Sequence, residues 1–169
     1  ITLGGMALGA VAMLESRGRA RGYRRMVRTL LDETYLQPGE TVLEVGCGTG
    51  VLDRWLAQHT GGAHRITGVD INRYLLQEAL ALARKEGLEG AIGFREGHAE
   101  ALPFPDHSFD VTLSVTVIEE VDARQLLAEM VRVTKPGGRV AVVARAIDMP
   151  FLRNLRLRAE LKAKVEAPG

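Results

Sequence analysis

The chain has 169 residues and carries 22 Lys and Arg against 21 Asp and Glu, which leaves a net charge of +1. This length is typical of one domain with a buried core, and 46% hydrophobic residues argue against a disordered chain. The near-neutral balance also argues against a nucleic-acid binder. Cys47 is the only cysteine, so no disulfide can form within the chain, and we expect a cytoplasmic protein.

The first 37 residues predict a helical lid or flanking segment. Residues 1–14 are apolar, but they are too few to span a bilayer, which needs about 20 residues. We therefore interpret them as a buried or lid helix. Residues 15–28 hold six arginines against Glu15. This basic run is either a solvated helix face or a rim that attracts an anionic substrate or a membrane surface.

Short β-rich segments alternate with amphipathic helical segments after residue 40. The β-rich segments cover residues 41–46, 65–70, 91–96, 109–115 and 139–144, and the helical segments cover residues 51–59, 73–87 and 123–134. This alternation predicts an α/β domain over residues 38–146, with a doubly wound, mainly parallel sheet and helices on both faces. Residues 97–108 predict an ordered loop, and the KPGG segment at 135–138 predicts a turn.

Three glycines follow the first β-rich segment, in the stretch VLEVGCGTG at residues 42–50. Their spacing is G-x-G-x-G, which differs from the dinucleotide fingerprint G-x-G-x-x-G. Asp70 ends the second β-rich segment, where an acid can accept hydrogen bonds from ribose hydroxyls. The alternative for Asp70 is a helix N-cap. Together the two motifs indicate a nucleoside ligand that needs no diphosphate.

Four segments in order resemble the motifs of class I S-adenosylmethionine-dependent methyltransferases. They are VLEVGCGTG, GVDIN, FREGHAEALPFPDHSFDVTLSV and MVRVTKPGGRVAVVA, and they cover residues 38–145. The group is that of ubiquinone/menaquinone-biosynthesis and other small-molecule methyltransferases. The resemblance implies a Rossmann-like fold, S-adenosyl-L-methionine as cofactor and methyl transfer to a small organic acceptor. The alternative is a cofactor-binding module without turnover.

The resemblance also implies roles for individual residues in binding the cofactor. Glu44 and the backbone at Gly46, Cys47 and Gly48 would hold its amino-acid end, and Gly50 would complete the turn. Asp70 would bind the ribose, while Ile71 packs on the adenine. The remaining positions are His98 and Ala99 at the adenine edge, and Ser114 and Val115 on the methionine side. His98 stands where the family usually has Asp.

No catalytic residue is identified by the motifs, because methyl transfer can proceed largely through positioning of the reactants. His107, Glu119, Glu120 and Tyr23 are candidates, each with a plain structural alternative. Cys47 is expected to be a packed residue of the turn. The four histidines show no ligand spacing, so we predict no metal site.

The end of the chain leaves room for a loop and one helix over residues 147–169. The family sheet normally continues with an antiparallel C-terminal hairpin, so we expect that hairpin to be lacking and the chain to be a fragment of a longer protein. An open sheet edge would then permit self-association.

Overall fold

A computed structural model describes the backbone of residues 3–145 and the side chains from residue 9 onward within that range. The described part contains five helices and five strands. In chain order they are α1 (Leu3–Arg19), α2 (Arg21–Thr34), β1 (Thr41–Val45), α3 (Val51–His59), β2 (Arg65–Asp70), α4 (Arg73–Lys85), β3 (Ile92–Glu96), β4 (Phe109–Val115), α5 (Ala123–Val133) and β5 (Thr134–Val143).

The five strands form one parallel sheet in the order β3-β2-β1-β4-β5. The chain moves outward from β1 to β3 and then returns to the other side of β1, so the strand order reverses between β1 and β4. Glu44 of β1 pairs with Gly68 of β2 and Leu113 of β4. The prediction of a doubly wound parallel sheet is confirmed, and it places a switch point at the carboxyl end of β1.

Two hydrophobic clusters cover the two faces of this sheet. Side chains alternate along β1, so Val42 joins one cluster while Leu43 and Val45 join the other. The first cluster includes buried residues of α2, α3 and α4, and the second includes the buried face of α5. Helices therefore shield both faces, and the strands can be apolar along their whole length.

Local capping explains where two of the helices begin. The Asn72 side chain accepts hydrogen bonds from the backbone N–H groups of Tyr74 and Leu75, at 3.0 and 3.2 Å, and so starts α4. Asp122 starts α5 in the same way by accepting from the N–H of Gln125 at 3.0 Å. The cap of α4 is therefore Asn72, which leaves the Asp70 carboxylate available for other contacts.

The fifth strand departs from the sequence-based expectation. It begins at Thr134, so the predicted turn at 135–138 lies inside its span. Phe109 pairs with Thr134, whereas Val111 pairs with Arg139, which makes residues 135–138 a bulge opposite the start of β4. Gly137 supplies the positive φ, 78°, that this bulge needs.

The loop over residues 97–108 is ordered, as expected, and its anchor is Arg132 of α5. The Arg132 guanidinium donates to the carbonyls of Phe104 and Leu102 at 2.9 and 3.1 Å. It also pairs with Glu129 and with Asp106. The Arg132 side chain thus fixes the loop over residues 97–108, which is neither a helix nor a strand.

No helix in the part of the chain that the structure describes is both long enough and apolar enough to cross a membrane. We expected one helix over residues 147–169 and no C-terminal hairpin. Both expectations concern residues that lie outside the described part of the chain.

Candidate functional site

The glycine turn between β1 and α3 has the backbone conformation that its sequence predicts. Gly46, Gly48 and Gly50 all have positive φ, at 77°, 55° and 68°. A Cβ atom at Gly46 would lie 2.2 Å from Cγ2 of Val117, and one at Gly50 would lie 2.7 Å from the Phe94 ring. Side chains are thus excluded both by conformation and by space. The turn leads into α3, whose first N–H groups face this edge of the sheet with no side-chain cap.

Asp70 connects the end of β2 to this turn. One of its carboxylate oxygens accepts from the Gly48 N–H at 2.8 Å, and the other accepts from the Asn72 N–H at 2.9 Å. The side chain is half-buried at the carboxyl edge of the sheet. Its position beside the switch point is where open α/β sheets hold the ribose of a nucleoside.

Glu44 lies below the turn, on the face of β1 that α3 covers. The residue is 3% exposed, and its Oε2 atom has no hydrogen-bond donor within reach. Burial, together with the neighbouring charge of Asp53, raises the pKa of Glu44 well above its usual value. A buried carboxyl group without donors is unfavourable, so this position suits a cationic group of a ligand.

The first helix is attached directly to the glycine turn. Glu15 of α1 accepts from the Thr49 hydroxyl at 2.7 Å and forms a two-pronged pair with Arg54 of α3, at 2.8 and 2.9 Å. Leu14 lies 3.1 Å from where a Cβ atom on Gly48 would be. Residues of α1 therefore cover the turn from outside the sheet.

Two further side chains of the N-terminal helices border the same region. The Arg17 guanidinium lies 5.2 Å from the centre of the Tyr23 ring and donates to the Thr116 hydroxyl at 3.3 Å. Burial, and after it the charge of Glu44, raises the pKa of Tyr23, so its phenol stays protonated at neutral pH. Thr116 follows β4 with φ of 57°, a strained conformation for a β-branched residue.

The other predicted cofactor residues occupy different depths at this edge. Ile71 is 58% exposed and His98 is exposed, while Ala99 is half-buried and His98 forms a bridge with Ala101. Ser114 and Val115 are buried, and the Ser114 hydroxyl donates to the carbonyl of Val45 at 3.2 Å. The Ser114 side chain thus joins β4 to β1.

Cys47 is packed inside the turn and is 6% exposed. Its sulfur lies 2.8 Å from the place of a Cβ atom on Gly68. Burial and the nearby carboxyl groups raise the pKa of the Cys47 thiol, which keeps it protonated and unreactive.

The four catalytic candidates do not come together. Tyr23 lies near enough to Glu44 for the charge of Glu44 to raise its pKa. Glu119 and Glu120 are exposed in the loop after β4, at the same edge of the sheet as the glycine turn, and Glu119 accepts from the Arg145 N–H. His107 lies before β4, at the opposite edge, where its ring contacts the Thr134 carbonyl at 3.1 Å. The parallel sheet therefore separates His107 from the other candidates.

Sequence reasoning missed several residues of this site, including Asp53, Arg54 and Arg17. The first two lie on α3 within the nine-residue segment that we read only for its apolar face. The signal was available for Asp53, because an acid three residues after Gly50 lies in the first buried turn of that helix. Arg17 was indistinguishable from its neighbours in a run of six arginines.

Fold and site together define a class of protein. An open parallel sheet has a glycine turn at its switch point and an acid after β2. This combination is typical of α/β domains that bind a nucleoside-containing ligand. A family model described as a methyltransferase domain matches residues 43–142. The chain belongs to this methyltransferase family.

Individual relatives agree with this assignment. Methyltransferase GfsG of Streptomyces halstedii is 37% identical over 124 residues, which are 73% of this chain and 44% of that protein. A ubiquinone/menaquinone biosynthesis C-methyltransferase, UbiE of Hahella chejuensis, is 35% identical over 153 residues, covering 84% of this chain and 61% of that protein. The chain thus spans about half the length of these relatives.

The solved structure of the [4+2]-cyclase SpnF shares the fold with a TM-score of 0.70 and 31% identity. The match covers 79% of this chain and 51% of the cyclase. The same architecture is therefore found in a protein named for a different reaction.

Proposed function

We propose that this chain binds S-adenosylmethionine and transfers its methyl group to a small organic acceptor. The observation that carries the proposal is the placement of Asp70, which joins the end of β2 to the glycine turn through the Gly48 N–H at 2.8 Å. The names of the relatives support the reaction, since GfsG and UbiE are both methyltransferases.

The residues present fit this cofactor. Glu44 has a buried oxygen without a donor, which an ammonium group would satisfy. Arg17 and the protonated Tyr23 suit the carboxylate of the amino-acid end. Asp70 would hold the ribose hydroxyls and the exposed Ile71 would cover the adenine, with His98 and Ala99 at its edge.

When bound, S-adenosylmethionine supplies an electrophilic methyl group on a sulfonium. The chain's own contribution is positioning and exclusion of water, because an in-line displacement needs aligned reactants more than a covalent nucleophile. Glu15 and Leu14 bring α1 over the turn, which would shield the amino-acid end. Tyr23 can donate a hydrogen bond but is not a base at neutral pH, because its pKa is raised.

The alternative, a cofactor-binding module without turnover, is not favoured by the two methyltransferase relatives. Cyclisation is a second candidate reaction, because the structurally similar protein SpnF is named a [4+2]-cyclase. Production of S-adenosylhomocysteine separates these functions, because neither a module without turnover nor a cyclisation consumes the methyl group.

We further propose that residues 1–37 act as a lid on a binding core formed by residues 38–146. The hydrogen bonds of Glu15 and the position of Leu14 support this division. We also propose a cytoplasmic location, because the chain has a single cysteine, and no binding of nucleic acid, because its net charge is near zero. Self-association through an open edge of the parallel sheet is a further proposal.

The test is calorimetric titration with S-adenosylmethionine, using NAD as the comparison ligand. Asp70→Ala should lower the affinity at least tenfold, since it removes charge-assisted hydrogen bonds of about 1.5–3 kcal/mol each. Asp32→Ala, on the exposed face of α2, is the control and should leave affinity unchanged. Tighter binding of NAD, or unchanged affinity in Asp70→Ala, would contradict the proposal. Mass spectrometry for S-adenosylhomocysteine over a panel of acceptors then tests turnover.

A further inference from the structure

Asp53 is a second buried acid that the proposed function leaves unexplained. It lies in the first turn of α3 and is 0% exposed. Neither of its carboxyl oxygens meets an N–H or O–H donor. Because buried polar groups nearly always have hydrogen-bond partners, such a side chain points to a missing proton or a missing ligand.

The unpaired oxygens of Asp53 lie beside the carboxyl group of Glu44, because Oδ2 of Asp53 approaches Gly68, and Gly68 is the register partner of Glu44 in the sheet. Two ionised carboxylates are both acceptors and cannot bond to one another, so one of the two must carry a proton. Gly68 of β2 leaves the space for this pair, since a Cβ atom there would lie 2.6 Å from Oδ2 of Asp53. Burial raises the pKa of both groups, which agrees with a retained proton. Their mutual contact raises the pKa of Glu44 and lowers that of Asp53, so in the free chain this proton lies on Glu44. An ammonium group beside Glu44 would favour its ionised form and so move the proton to Asp53.

The charged surroundings do not neutralise the pair. Arg54 acts on Asp53 from the same helix, but its guanidinium is already paired with Glu15 and Glu86. The titratable and charged groups that face the pair come from every neighbouring element: Arg17 on α1, Tyr23 on α2, Cys47 in the glycine turn, Arg54 on α3 and Asp70 at the end of β2.

We propose that Asp53 is a positioning residue for the ammonium group of the cofactor: in the complex Asp53 keeps the shared proton and donates a hydrogen bond to Glu44, which stays ionised and offers a carboxylate of fixed orientation. With one proton the pair carries a single negative charge, which matches the single positive charge of the ammonium. Only Glu44 contacts the ligand, since Asp53 is fully buried behind it. This inference rests on the proposed function and adds a residue to its binding site.

Binding of S-adenosylhomocysteine, which carries the ammonium, is compared with binding of 5′-methylthioadenosine, which lacks the amino-acid end. Asp53→Asn keeps a donor toward Glu44 and should bind S-adenosylhomocysteine within threefold of the wild type. Asp53→Leu keeps the volume without the donor and should bind it at least tenfold more weakly. Both variants should bind 5′-methylthioadenosine like the wild type. Equal affinities of Asp53→Leu and wild type for S-adenosylhomocysteine, or an equal loss for both ligands, would overturn the proposal.

A spectroscopic measurement does not depend on how well the leucine variant folds. In protein labelled with ¹³C at the aspartate carboxyl groups, the resonance absent from Asp53→Asn is that of Asp53. In the S-adenosylhomocysteine complex at pH 7, this resonance should have the chemical shift of a neutral acid, and the shift of an ionised carboxylate would overturn the proposal. If the wild type binds neither ligand, the proposed function itself fails. If the wild type binds both ligands and Asp53→Leu binds S-adenosylhomocysteine equally well, only the role of Asp53 fails.

Discussion

The carboxylate of Glu15 on α1 and the guanidinium of Arg54 on α3 form a two-pronged ion pair, with Nη2 of Arg54 at 2.8 and 2.9 Å from the two oxygens. The Arg54 side chain is nearly buried, and it also pairs with Glu86 at 2.7 Å. The pair therefore joins the N-terminal helix, the glycine turn and the end of α4. This polar connection helps to hold the covering helix over the ligand edge, together with the packing of Leu14 and Gly18 on the turn and α3.

Glu15→Gln should loosen α1 without unfolding the sheet. Breaking a buried pair is strongly destabilising, but Arg54 retains Glu86, so we expect a loss of about 1–3 kcal/mol. Hydrogen exchange followed by mass spectrometry should show faster exchange in residues 9–19. Glu33→Gln, which replaces an exposed acid of α2, is the control and should leave that exchange unchanged. Equal protection of α1 in both variants would mean that Leu14 and its neighbours hold the helix by packing.

Arg132→Lys should destabilise the loop over residues 97–108. A lysine cannot reproduce the planar fork that reaches Glu129, Asp106 and the two loop carbonyls together. We expect a loss of about 1–3 kcal/mol in chemical denaturation, with faster proteolysis in the loop. Arg124→Lys on the exposed side of the same helix should have no measurable effect. The two variants unfolding together would refute the anchoring role.

Asp110→Asn should destabilise the protein at neutral pH but not in strong acid. Asp110 accepts from the Thr41 N–H and hydroxyl at 2.9 and 2.7 Å and pairs with Lys135 at 2.8 Å. The hydrogen bond from Lys135, with those from Thr41, lowers the pKa of Asp110 to about 2. A lowered pKa means that the stabilisation is present above about pH 4 and is lost as the pH falls toward 2.

The predicted loss for Asp110→Asn is about 1–2 kcal/mol at pH 7, discounted for partial exposure of the group. Urea denaturation at pH 7 and pH 2.5 measures it, with Asp32→Asn, which replaces an exposed acid of α2, as the control. A difference between wild type and Asp110→Asn that is the same at both pH values would contradict the assignment.

Asp53→Asn should stabilise the protein at alkaline pH. Burial raises the pKa of Asp53 to about 7, so the folded chain favours the protonated form and loses stability as the pH rises from about 4 to 7. An amide cannot ionise, so the variant should be more stable than the wild type at pH 8 by roughly 2–4 kcal/mol. This advantage should shrink toward pH 4. Melting temperatures across this range, with Asp32→Asn as control, test the sign, and a variant that is less stable at pH 8 would contradict it.

The glycine turn, Asp70 and the five strands follow from short-range patterns. Apolar runs of five or six residues, glycines with positive φ and helix stops act within a few residues of the chain, so they can be read without the tertiary structure. The buried Glu44 was recognisable for the same reason, because it stands inside an apolar strand. The turn predicted at residues 135–138 lies within a strand, because these residues form a bulge in β5 where it pairs with β4.

The tertiary structure alone decided which distant residues meet. Glu15 and Arg54 are 39 positions apart, and Leu102 and Glu129 are 27 apart. Their contacts depend on how the crossover helices pack, which local periodicity does not specify. Packing also places Asp53 beside Glu44. The direction of the strands places His107 at the edge of the sheet opposite the glycine turn. The chain's local patterns thus define a nucleoside site, while packing determines which charges surround it.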